Sequence, residues 1–156
     1  MTSIFDADQA DRNAADIDWT KVGPADRRRR VRTKALLDAG ALQSGDDYYH
    51  AAFVFQHGEA PNDFLLAHLL AMIAVARGKA AAIWIASATL DRYLMNSGRP
   101  QVVGTQFQLP KGKAVSQEPY DRTLVSDAMR KALQVPPLAE QEKQRQGYEK
   151  EATANQ

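Results

Sequence analysis

The chain has 156 residues, enough for one domain with a hydrophobic core of its own. Its 20 basic and 19 acidic residues leave a net charge of +1, which argues against function through bulk charge; the lack of cysteine excludes disulfides, thiolate metal sites and thiol catalysis. MTSIFDADQADR carries no basic or apolar leader pattern, and the longest apolar run, 64–76, is interrupted by His68 and too short for a bilayer, so the expectation is a soluble, cytoplasmic protein.

Residues 6–16, DADQADRNAAD, predict a short first helix with Ser3 as N-cap and acids in the first turn, where the helix dipole favours them. WTKVGPADRRRRVRTKALLDAG predicts a second, with Pro24 in its first turn, Gly40 at its C-cap and a modest stripe of Val31, Ala35 and Leu36 or Leu37. The third runs from Asp46 to His57 and stops at Gly58. Tyr48, Ala51, Ala52 and Phe55 give it an apolar face at i, i+3, i+4, i+7 spacing. The fourth opens at Pro61 and ends at Gly78. Its core, FLLAHLLAMIAVA, is apolar on every side, which predicts a central helix covered by its neighbours. The fifth spans 79–96, closed by Gly98 and Pro100, with Trp84, Ala88, Asp91 and Met95 along one stripe.

Beyond Pro100 the period shortens to two. QVVGTQFQLP alternates, Pro110-Lys111-Gly112-Lys113 offers a turn, and AVSQ supplies a second extended run, which together predict a small hairpin. A short helix over 122–133 follows, broken by Pro136-Pro137. The tail from Ala139, rich in Glu, Gln, Lys and Arg, is expected as a solvated helix or as disorder. The expected fold is mostly α: a helical-hairpin bundle of five or six helices with a small β-hairpin or extended segment after the fifth. Residues 1–138 form one domain and 139–156 a polar tail.

All three histidines fall within 45–94. His50 and His57 share a helical face but stand about 10.5 Å apart along the axis, too far for one ion, and no H-E-x-x-H accompanies them. No metal and no cofactor are therefore expected. His57, in the last turn of its helix, has a capping role available, and His50 has Asp46 and Asp47 as local partners. His68 sits in the most apolar helix, where each ring nitrogen needs a partner. Asp91 shares its stripe with apolar side chains, and a buried carboxylate is costly unless paired. It is expected to accept from a histidine or from backbone N–H groups of the GTQF turn. Arg92 points about 100° away around the helix and is expected to hold Asp8 or Asp11. His57, His68 and Asp91 are the catalytic candidates, and His50, Arg92, Thr105 and Gln106 the ligand-binding ones. Both versions stay open: a buried structural network, or a polar cleft.

RRRRVRTK predicts a solvated helix face, because no aromatic interleaving or phosphate loop accompanies it; no nucleic-acid partner is expected. Serines 44, 87, 97, 116 and 126 lack a nucleophile-elbow context.

Two resemblances add to this. The helix–turn–helix rhythm with small residues at Ala51, Ala52, Ala67, Ala74, Ala86 and Ala88 loosely resembles tetratricopeptide-type helical hairpins, in which small residues let helices approach closely. DQADR at 8–12, QH at 56–57, DR at 91–92 and GTQF at 104–107 resemble a bacterial domain family that carries no assigned activity, with Val103 standing where that family has tyrosine. The family resemblance implies which residues matter and implies no reaction.

Two functions are consistent with these residues. The first is a helical interaction module that binds a peptide or protein partner in a groove between helices. The alternative is a small metal-independent enzyme that uses a His/Asp pair, with Arg92 and Gln106 on a small polar substrate. Convergence of the polar side chains on an open pocket would favour the second. Oligomeric state is not legible.

Overall fold

A computed structural model describes residues 1–109 and 112–154. Among these residues are seven helices: α1 (Thr2–Arg12), α2 (Trp19–Asp38), α3 (Gly45–Phe55), α4 (Pro61–Ala76), α5 (Ala82–Asn96), α6 (Asp127–Ala132) and α7 (Leu138–Ala154). None of them is long and apolar enough to cross a membrane.

Local chemistry sets most boundaries. Asp18 caps α2 through Thr20 N, and Gly40, at φ 63°, lets the chain leave that helix through the left-handed region. Pro24 lies one turn deeper than expected, inside α2. Ser44 and Asp47 form a reciprocal capping box at the start of α3, which satisfies two free N–H groups at once. Pro61 opens α4, and the Asp63 carboxylate reaches back to Glu59 N and Ala60 N. α1 starts earlier than its acids suggest, with Met1 rather than Ser3 at the N-cap.

α4 packs between α3 and α5, while α1 and α2 lie against α3. The core is built from alanines that bring these axes close, with Phe55, Leu70 and Ile85 filling the space between them. α4 is not covered all round: Leu69, Met72 and Ile73 are exposed. Among the described residues α3 and α5 are its main partners, and they leave this face open.

The expected hairpin is absent as a ladder. Among the described residues there are only two isolated bridges, Gln101 with Tyr120 and Gln108 with Ser116. The backbone amides of 102–105 turn instead onto a side chain of α5, so alternation in QVVGTQFQ reflects burial of a loop rather than strand pairing. The proposed turn at Pro110-Lys111 lies outside the described residues. α6 is shorter than expected, confined to Asp127–Ala132. The polar tail is a helix, and it is docked. Gln141 is buried, Arg145 Nη1 donates to Val115 O at 3.1 Å, Glu149 accepts from Val115 N at 2.5 Å, and Tyr148 packs edge-on against Phe107.

Candidate functional site

Two fully buried aspartates organise the polar side of the molecule. Asp91, on α5, accepts five hydrogen bonds: Oδ1 from Val102 N (2.8 Å) and Val103 N (3.0 Å), and Oδ2 from Gly104 N (2.9 Å), Thr105 N (2.9 Å) and Thr105 Oγ1 (2.8 Å). The carboxylate thus sits in a nest of successive amides, which compensates its charge without a counter-ion.

A second layer holds that loop shut. Gln101 bridges it to itself, donating to Gln106 O and accepting from Gln106 N. The Val103 carbonyl accepts from Tyr120 Oη (2.9 Å), Arg130 Nε (3.1 Å) and Gln141 Nε2 (3.0 Å). Arg130 is wholly buried, and Nη1 also donates to Val125 O. Burial pushes the Tyr120 phenol above its usual pKa, so it stays a neutral donor here. Gly104 must be glycine: its φ is 95°, and a Cβ would lie 2.1 Å from Gln141 Oε1 and 2.3 Å from the Tyr120 hydroxyl.

The other buried aspartate, Asp8 on α1, faces cations. Arg12 Nη1 donates to it at 3.0 Å, and His57 Nδ1 lies 3.0 Å from the same Oδ1. Arg12 continues to Asp26 of α2 in a forked contact at 3.2 and 2.7 Å, and Arg29 joins Asp26 and Asp11. Asp8, Asp26 and His57 offer ligand atoms within 4.8 Å of one another, the spacing a metal ion could bridge. Two guanidinium groups already occupy these carboxylates, so the positive charge the acids call for is supplied by protein. The Asp8 contact engages the His57 ring at Nδ1, the orienting arrangement found in acid–base pairs.

The sequence candidates fall into separate places. Asp91, Thr105, Gln106 and Arg92 come together: Arg92 Nε donates to Gln106 Oε1 (2.9 Å), and Gln106 Nε2 donates to Ala88 O (3.2 Å) and Thr105 Oγ1 (3.0 Å). Asp91 has no exposed surface and no histidine partner, so the expected His/Asp91 pair does not form. Arg92 does not hold Asp8 or Asp11; Nη1 donates to Gln56 O at 2.8 Å, while Arg12 and Arg29 take those acids. The helix end presents a carbonyl to Arg92 before any α1 carboxylate comes within reach. His68 Nδ1 pairs with Ala86 O at 2.8 Å, which ties this half-buried histidine of α4 to α5. His50 stacks on Phe5 at 4.3 Å, its Nδ1 buried without a partner, and burial lowers its pKa. It lies away from Arg92, at the α1–α3 contact.

Sequence reasoning missed Asp8 as the partner of His57, and Arg12, Asp26 and Arg29 as its surroundings. It also missed Arg130, Gln101, Gln117 and Gln141. A helical pattern marks apolar faces, and these groups pair across 5 to 49 positions of chain.

Fold and site together define an all-α bundle whose following loops are folded around a buried carboxylate. No family model, no curated protein and no solved structure matches the chain.

Proposed function

We propose that this chain is a helical interaction domain that binds an acidic, amphipathic peptide segment of a protein partner in the groove between α2, α3 and α4. One observation carries this reading. A cavity of about 660 Å3 opens there, lined by Phe55, Ala35 and Leu66, with Val31 on its lip at 72 % exposure and Arg27, Arg30 and Lys34 along its edge together with Asn62, Asp38 and Asp63. An apolar floor and a mixed rim in which three cations outnumber two carboxylates suit a helix that presents apolar anchors at i, i+3, i+4 spacing flanked by acids. The rim is available: the Arg27–Glu59 and Lys34–Asp38 pairs are solvent-exposed, and such pairs are held weakly. The tetratricopeptide-like rhythm supports a binding role, and the DQADR, QH, DR and GTQF motifs, which lie on α1, the α3 end, α5 and the loop after it, support membership of the bacterial family they resemble. A cytoplasmic location fits the absence of cysteine.

Selection from a displayed library of helical peptides tests it. Enriched sequences should be acidic and amphipathic, should perturb Phe55 and Leu66 signals in NMR titration, and should lose binding to a Leu66→Asp variant that keeps its helicity. Enriched peptides that map elsewhere, or none at all, would remove the reading.

One contact favours a second reading, a metal-independent acid–base catalyst: the imidazole of His57 is oriented by buried Asp8. His57 rather than Asp91 would transfer the proton, with Arg92 and Gln106 on the substrate. Turnover in a substrate screen, abolished by His57→Asn with the fold retained, would support it; turnover indifferent to that change would end it.

A further inference from the structure

Beyond α5 and the 101–106 loop lies a second, smaller cavity, of about 240 Å3. Phe64, Met95 and Phe107 form apolar walls, and Arg92, Asn96, Gln106 and Gln108 are its polar lining. Arg92 stands there as an unbalanced cation. A guanidinium has five N–H donors. Nε–H is used on Gln106 and one Nη1–H on Gln56 O. The other three have no acceptor among the described residues, and no carboxylate pairs with this side chain, whereas Arg12 and Arg29 each contact two aspartates or more. Arg92 is half-buried, and its Nη2 donates to none of the described residues.

The fork is held in place. Gln106, which accepts from Nε, is itself fixed to Ala88 O and Thr105 Oγ1, and Thr105 is tied to Asp91. Burial, and then the charge of Arg12, act against the Arg92 cation and lower its pKa, so an anion beside it would relieve both. Asn96 donates one amide hydrogen to Arg92 O and has its remaining polar capacity free toward the cleft.

We propose that this cleft binds the carboxylate of a small organic acid, with the free edge of the Arg92 guanidinium as the counter-charge and Phe64, Met95 and Phe107 around the acid's apolar body. A guanidinium edge matches a carboxylate in two parallel N–H···O bonds. Phosphate offers the same oxygens but no apolar part to meet three apolar walls. The site does not depend on the α2–α4 groove, and it stands whether or not His57 catalyses anything, because it is read by binding.

The test uses the full chain with benzoate and isobutyrate as probes, and inorganic phosphate as the comparison. NMR titration should give saturable shifts of the Arg92 Nε–H, the Asn96 side-chain amide and the Phe107 signals. Arg92→Gln should weaken benzoate by about tenfold or more. Met95→Trp fills the cleft while leaving Arg92 in place, so it should abolish binding with the melt retained, and it keeps the test decisive if Arg92→Gln does not fold. Non-saturating shifts, shifts that survive Met95→Trp, or phosphate binding as tightly as benzoate would each overturn the proposal.

Discussion

The helical bundle of residues 1–96 and the described residues that follow it are closed by different forces. α3, α4 and α5 meet through alanine-lined helix contacts, with apolar area as the main stabilising term, while α1 and α2 add the Asp8–Arg12–Asp26 network at their side. The rest has two helices that make few contacts with the bundle, and it is held by side chains that satisfy backbone groups: Asp91 the amides of 102–105, and Tyr120, Arg130 and Gln141 the carbonyl of Val103. Apolar packing tolerates local adjustment, because neighbours relax into small gaps. A polar network does not, since each member removed leaves a buried partner unanswered.

Asp91→Ala breaks the comparison most directly. It strands four backbone amides, and stability should fall by roughly 3–5 kcal/mol in urea melts. Hydrogen exchange should lose protection at 102–105 while α3, α4 and α5 keep theirs. Collapse of protection in all helices together would mean that the two halves are one cooperative unit.

Gly104→Ala sharpens the same contrast with a smaller change. One methyl group at positive φ, aimed at Gln141 and Tyr120, should cost about 2–4 kcal/mol, against less than about 1 kcal/mol for Gly→Ala where φ is negative and space is open. Gly23, which has nothing within 4 Å, is the control. Equal melts for the two variants would remove the claim that the loop is sealed from above.

The smallest effect belongs to the helical half. Burial lowers the His50 pKa below its ordinary 6.5, with Asp46 and Asp6 opposing the shift. The folded protein therefore holds His50 neutral, and its unfolded form binds the proton more readily. Stability from this group is complete above the ordinary histidine range and is lost as pH falls through that range. His50→Phe should abolish that component of the pH profile, leaving the carboxylate-driven loss at lower pH. Identical profiles would place His50 in solvent.

Legibility divides along the same line. Helices α2 to α5 were readable because glycines, prolines and apolar spacing are local signals: Pro61 and Gly40 mark ends that the chain then uses, whereas the Ser44 cap of α3 emerges only in the structure. Burial of Asp91 was readable from its stripe, which left a histidine and the GTQF amides both open as its partner; the structure uses the amides of 102–105. The partner of His57 was not, since nothing near residue 57 points to residue 8. Gln141 sits in QEKQRQ among side chains of the same kind that face water, and only tertiary structure separates it from them. The exposed side of α4 was misjudged for a related reason: an all-apolar helix says that it wants cover, and not how much the chain provides.

The carbonyl of Val103 collects donors from residues that follow it by 17, 27 and 38 positions. Synthesis delivers them in that order, after the helical bundle already has its full sequence. A translation product ending before Leu138 would own the sequence of the whole bundle, yet the Val103 carbonyl would lack its Gln141 donor. The Gln141 contact therefore ties α7 to a loop that α5 already holds through Asp91.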